Sequence, residues 1–185
     1  DEAGLHGAVA FASACQKSEI HPIIGMIAPV QMPSELKPTW TEADASNRLI
    51  LIARNASGYR SLCRLTNILQ AHPDRANRVV NGIQFDDLRA NREGLICISE
   101  GRRGWLYQAL QNEDEQFAVR FATRLAIIFG SDNTYLSIEI QKETDHFTAQ
   151  QIKHIGARFG LRVAAVHPVY CLSPSQSPLL KLLTA

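Results

Sequence analysis

Arg158-Phe159-Gly160-Leu161-Arg162-Val163-Ala164-Ala165-Val166-His167-Pro168-Val169-Tyr170 joins the end of a helix to a short strand, and the strand to a polar turn. Glycine is the residue type that closes a helix in the left-handed conformation, and Leu161 to Val166 is an apolar run of strand length that Pro168 ends. Where strands alternate with helices, chemistry sits at the C-terminal tips of the strands, so His167-Pro168-Val169-Tyr170 is a candidate tip loop. The plainer reading of the same residues is a buried parallel strand whose end simply turns.

Working outward from that stretch, the same order recurs. A helix over Thr148–Phe159 precedes it, and before that helix comes a strand, Tyr135–Ile140. Phe117, Val119, Phe121, Leu125 and Ile128 are spaced as one helical face over Asp114–Phe129, with Gly130 as the stop. A shorter helix spans Trp105–Leu110, after a strand at Gly94–Ser99. Phe85–Leu88 reads as a helical turn, and His72–Gly82, with Pro73, Asn77, Asn81 and Gly82, as a mobile loop. A helix over Gly58–Gln70 buries Leu62, Leu65 and Leu69 and follows the apolar strand Arg48–Ala53. Residues 31–47 are polar and carry prolines, which predicts a surface excursion. Ile20–Val30 reads as a buried strand with Pro22 at its entry. A helix over Ala8–Lys17 sets Val9, Phe11, Ala12 and Cys15 on one face. Repetition of strand, tip loop and helix predicts an α/β protein with a parallel sheet and crossover helices, either a closed or partly closed barrel or a doubly wound sheet.

At 185 residues and 45% hydrophobic the chain supports one real core, and residues 1–185 read as a single domain. Nineteen basic against eighteen acidic residues leave a formal charge of +1, so any nucleic acid or anionic partner must be met by a local patch. No apolar run is long enough to span a membrane and no targeting segment opens the chain. Cys15, Cys63, Cys97 and Cys171 are far apart and sit among apolar neighbours, which predicts reduced, buried thiols and a cytoplasmic protein. His6, His21, His72, His146 and His154 are scattered and read as surface or capping residues. Asp86-Asp87 and Glu113-Asp114-Glu115 read as solvated helix starts.

Five separated blocks carry a resemblance. They are Asp1-Glu2-Ala3-Gly4-Leu5-His6-Gly7-Ala8-Val9; Pro22-Ile23-Ile24-Gly25; Leu49-Ile50-Leu51-Ile52-Ala53-Arg54-Asn55 with Gly58-Tyr59-Arg60-Ser61-Leu62-Cys63; Gly94-Leu95-Ile96-Cys97-Ile98-Ser99 with Gly101-Arg102-Arg103-Gly104; and Ile128-Phe129-Gly130 with Tyr135-Leu136. In order and spacing they resemble the polymerase-and-histidinol-phosphatase (PHP) domain of bacterial C-family DNA polymerases, the DNA polymerase III alpha and error-prone alpha-like subunits. The resemblance implies a distorted seven-stranded (β/α)7 barrel whose strand tips, in active members, hold divalent ions and hydrolyse phosphoesters. The chain opens on a strand-end loop with no strand before it, so the barrel is expected to be incomplete at the N-terminus.

Compared residue by residue with the metal positions that the resemblance implies, the sequence departs widely. Asp1 keeps the aspartate of the first tip, but Glu2 stands for its histidine. Ile27 stands for a glutamate and Arg48 for a histidine. Gly101 occupies the tip where a cysteine or histidine can ligate, and Glu143 stands for another histidine. Of the last motif His167 and Val169 remain in place of its acidic and histidine residues, with Tyr170 retained. Isoleucine and valine cannot hold a metal, and an arginine puts a fixed positive charge where an ion would sit. The expectation is therefore no cofactor, with Mn or Zn at a reduced site as the alternative. A second expectation is that Arg48 acts as an internal counter-ion to Asp1, Glu2 and Glu143. Arg102 and Arg103, flanked by Gly101 and Gly104, could hold a phosphate or a partner carboxylate, or form an ordinary solvated loop.

Two functions follow from the resemblance. One is a catalytically inactive PHP-like domain acting as scaffold and interaction module in polymerase III alpha-type DNA replication or repair. Its partners would be other polymerase domains or replisome subunits, with DNA reached through the parent polymerase. The other is a metal-dependent phosphoesterase or 3′–5′ exonuclease of the same family.

Overall fold

The computed structural model describes all residues except 1, 37, 39, 41–47, 72, 170–172, 177 and 179–185. Expectations for Asp1, His72, Tyr170, Cys171 and most of the 31–47 excursion's second half thus lie outside the described residues. In chain order the elements are α1 (Ala8–Lys17), β1 (Gly25–Pro29), β2 (Arg48–Ala53), α2 (Ala56–Gln70), α3 (Arg75–Asn81) and α4 (Phe85–Ala90). They continue with β3 (Leu95–Ser99), α5 (Trp105–Gln111), α6 (Glu115–Phe129), β4 (Thr134–Ile138), α7 (Asp145–Phe159) and β5 (Arg162–Ala165).

The strands form one sheet in the order β1-β2-β3-β4-β5. It is not all parallel: β2 runs antiparallel to both β1 and β3, while β3, β4 and β5 are parallel. The expectation of a wholly parallel sheet fails at β2 alone. Three helices lie between β2 and β3, and with α3 and α4 added to α2 the chain re-enters the sheet in the opposite sense. That reversal positions the site. Arg48, at the start of β2, pairs with Pro29 at the end of β1, and Leu49 with Ser99 at the end of β3, so the N-terminus of β2 meets the C-terminal tips of its neighbours. Beyond β1, Glu2 forms a parallel bridge to Ile27 and the N–H of Ala3 donates to the carbonyl of Ile27 at 2.8 Å. Five strands in an open sheet are present among the described residues.

Period-two alternation sorts the two faces. Met26, Ala28, Leu49, Leu51, Leu95, Cys97 and Leu136 are buried and belong to the core. The opposite face carries a cross-strand row, Ile27, Ile50, Ile98 and Tyr135, which is exposed at Ile27 and half-buried at the others. Against the covered face pack the apolar sides of the helices. Phe117, Phe121, Leu125 and Ile128 of α6 are buried, and Phe121 meets Trp105 edge-on at 5.5 Å between ring centres. Both long central helices are capped as their sequences require. The Asn55 side chain accepts from the N–H of Gly58 at 3.0 Å, and that of Asp114 from the N–H of Phe117 at 2.9 Å. Asp114 is buried, a cap inside the protein instead of a solvated helix start.

Four other expectations change. The 72–82 loop contains α3, a helix with no buried residue and hence no apolar period to reveal it. The strand expected over Ile20–Val30 is only Gly25–Pro29, and Ile20 and Ile23 are left exposed. Within α1 only Ala8 and Cys15 are buried, so Val9 and Phe11 face outward. Finally β5 is parallel as expected but is an edge strand, exposed at Arg162 and Ala165, not a buried one. Cys15, Cys63 and Cys97 are free thiols, and burial pushes the Cys97 thiol well above its ordinary pKa. No helix among the described residues is long and apolar enough to cross a membrane.

Candidate functional site

The strand tips surround a cleft of about 380 Å³ lined by Glu2, Ile27, Arg48, Ile50, Glu100, Gly101, Arg102, Arg103, Glu139, Gln141, Val166, His167 and Pro168. A roomier depression of about 580 Å³ lies on the outer helices, among Leu110, Glu115, Gln150, Gln151, Lys153, His154 and Ile155. Volume does not decide between them. Only the tip cleft gathers charged groups from several separate strands, which is what a chemical site requires.

At one wall the Nη2 of Arg48 lies 2.5 Å from the Oε1 of Glu2, tying the start of β2 to the segment that bridges β1. The pair is wet, with side chains 37% and 53% exposed. Glu143, expected to join it, does not line the cleft: its side chain is 97% exposed and lies 4.0 Å from the imidazole of His146. The chain turns after Gln141, so the carboxylate facing the cleft from β4 is Glu139. Val169 is likewise outside the lining and exposed, whereas Ile27, Arg48, Gly101 and His167 are within it.

The opposite wall is denser. The parallel ladder between β3 and β4 stops at Ile98 and Tyr135. Beyond it side chains take over. The hydroxyl of Ser99 accepts from the N–H of Ser137 at 2.9 Å, and the hydroxyl of Ser137 donates to the carbonyl of Glu100 at 2.7 Å. Next, the N–H of Arg102 donates to Oε2 of Glu139 at 2.9 Å. This contact explains Gly101, since a Cβ there would sit 2.0 Å from that same oxygen. The Arg102 side chain reaches on to Asp145, with Nε 3.1 Å from Oδ2, and its Nη1 donates to Oε1 of Gln141 at 3.1 Å. The amide of Gln141 donates in turn to Glu139.

Asp145 is fully buried. It accepts from the hydroxyl of Tyr107 and from the N–H groups of Gln141 and Lys142, at 2.9 and 3.0 Å. Burial by itself would raise its pKa, but the Tyr107 hydroxyl, the two N–H donors and the Arg102 charge outweigh it and hold the carboxyl at about 2. Tyr107 moves the other way, raised first by burial and then by its bond to Asp145.

Sequence reasoning singled out Arg102 but missed Tyr107, Glu139, Gln141 and Asp145, which are its partners. A signal existed in the polar residues Ser137 and Glu139, which recur at period two in an otherwise apolar strand end. Arg103 is exposed at the mouth of the cleft. Among the described residues no three His, Cys, Asp or Glu side chains are grouped so that they could hold a metal ion.

Comparison with known proteins gives the chain's relatives. The PHP domain family model matches residues 1–142. The DNA polymerase III subunit alpha of Bacillus subtilis is 28% identical over 171 residues, covering 92% of this chain and 14% of that protein. Its counterpart from Rickettsia bellii is 35% identical over 141 residues, 75% of this chain and 11% of that protein, and the one from Chlamydia trachomatis 33% over 116 residues, 62% and 9%. The chain thus spans only a small part of the length of these relatives. On a family model that matches most of its residues, from the Glu2 bridge through β4, the chain belongs to the PHP domain family.

Proposed function

We propose that this chain is a catalytically inactive PHP domain of a DNA polymerase III alpha-type protein, serving as a scaffold and interaction module for other polymerase domains or replisome subunits in the cytoplasm. On this reading the five strands are part of the distorted seven-stranded barrel of the family, and DNA is met through the parent polymerase. The observation that carries it is the allocation of the cleft's charges. Arg48 is spent on Glu2 and Arg102 on Asp145, while Ile27 offers no donor. The residues present do not fit the divalent ions that the family implies, because the guanidinium of Arg48 already pairs with Glu2, that of Arg102 sets a second fixed positive charge beside Glu139, and Ile27 offers no donor.

The test is elemental analysis of protein dialysed against manganese or zinc without chelator, with an assay on a generic phosphodiester. The expected result is no stoichiometric metal and no hydrolysis above buffer. Two or three bound ions per chain with turnover would overturn the proposal and favour the metal-dependent phosphoesterase or 3′–5′ exonuclease.

A further inference from the structure

We propose that Arg102 is the resident cation of the cleft, and that its guanidinium, set between Asp145 and the Glu139–Gln141 pair, holds the β3 and β4 tips together as a bound ion would. This rests on the metal-free reading above and goes beyond it, because it names the group that replaces the ion.

Three observations carry the inference. Past Ile98 and Tyr135 the two strands share no ladder, and their tips are joined by backbone N–H groups that donate to side chains, Ser137 to the Ser99 hydroxyl and Arg102 to the Glu139 carboxylate. The approach is built for it: Gly101 leaves room for the Glu139 carboxylate, and the carbonyl of Arg102 is fixed by the Gln108 amide at 2.7 Å. Asp145 has no exposed surface, and among the described residues Arg102 is the one cation at ion-pair distance from it. The neutral donors around Asp145 orient the carboxylate and favour its charged form, and the Arg102 guanidinium adds the full positive charge at ion-pair distance. Arg48, which the sequence pointed to as the counter-ion, holds an exposed partner and is the weaker of the two.

The experiment compares the full chain with its Arg102→Ala variant in thermal melts, with chelator and with millimolar manganese. The variant is expected to melt lower by about 5–10 °C in chelator, and manganese to leave the parent chain unmoved. An Arg102→Ala variant that melts with the parent would overturn the proposal. So would an Arg102→Met variant that does, since it keeps length and loses charge. Should neither variant fold, Arg102→Lys decides: a folded protein of intermediate stability supports the proposal, and one that fails to fold counts against it. Manganese raising the melting temperature of the parent chain would instead refute the metal-free reading, whatever the variants do.

Discussion

Asp145→Asn keeps the shape of the side chain and removes its charge, which isolates electrostatics from packing. Asp145 in the folded chain titrates at about 2, below the ordinary aspartate value of about 3.9. A depressed folded-state pKa contributes stability that is present in full above the unfolded value and lost as pH falls through the folded one. The window is therefore about pH 4 down to about pH 2, and the contribution at neutral pH is on the order of 2 kcal/mol. The amide adds a second cost, because its NH2 must face one of the donors that now point at carboxylate oxygens, worth about 1–2 kcal/mol. The variant should thus be less stable by about 3–4 kcal/mol at neutral pH, with the gap narrowing below about pH 4. Urea denaturation of both proteins at a series of pH values reads this directly. Equal stability at neutral pH, or a gap that stays constant down to about pH 3, would refute the reasoning, because Asp145 would then not be a charged, buried acceptor.

Gly101→Ala should destabilise by about 1–3 kcal/mol and loosen the cleft wall, because the new Cβ displaces the Glu139 carboxylate from the Arg102 N–H; an unchanged urea midpoint would count against that contact. Gly58→Ala should cost more, on the order of 3 kcal/mol, since its Cβ would lie 2.0 Å from the carbonyl oxygen of Gly94, which is backbone and cannot rotate away; calorimetry would show it. Arg48→Ala should cost about 1 kcal/mol or less and the loss should vanish in high salt, as its pair with Glu2 is largely solvated; a larger, salt-insensitive loss would mean a drier cleft. Phe121→Ala, in the centre of the helical layer against Trp105, should cost about 3–5 kcal/mol by the same denaturation assay.

What the sequence disclosed depended on whether a residue's role leaves a periodic trace. The bounds of β2 and the fully buried leucines of α2 were legible because an apolar spacing matches the backbone period, whereas α1 has the expected bounds but turns Val9 and Phe11 outward. The first turn of α7 was not, since His146 and Phe147 face solvent and only from Thr148 does the apolar stripe begin. Orientation was hidden for a different reason. An apolar run is the same read in either direction, so nothing in Arg48–Ala53 says that it runs against its neighbours. At the site, the sequence marks Arg48 as a charge where a ligand is expected and the glycine-flanked Arg102 as a possible carboxylate partner, but it runs β4 on to Ile140 and so sets Glu143 at the cleft. The partners were not legible. Glu139 and Glu143 are equally acidic in the text, and only the turn after Gln141 determines that the first faces the cleft and the second faces water.

The sheet's spatial order is its order of synthesis, β1-β2-β3-β4-β5, with no strand inserted between two that precede it. Each pairing therefore closes a loop between consecutive strands, and the entropy of bringing distant parts of the chain together is incurred one connection at a time. A nascent chain emerging N-terminus first would present one growing edge, and every new strand would find its only partner already in place. Growth in that mode exposes a fresh row of unpaired backbone groups at each step, with a risk of pairing with another chain. Among the described residues the strand that follows all the others, β5, is four residues long and opens with the exposed Arg162, so the edge it presents is short and carries a charge.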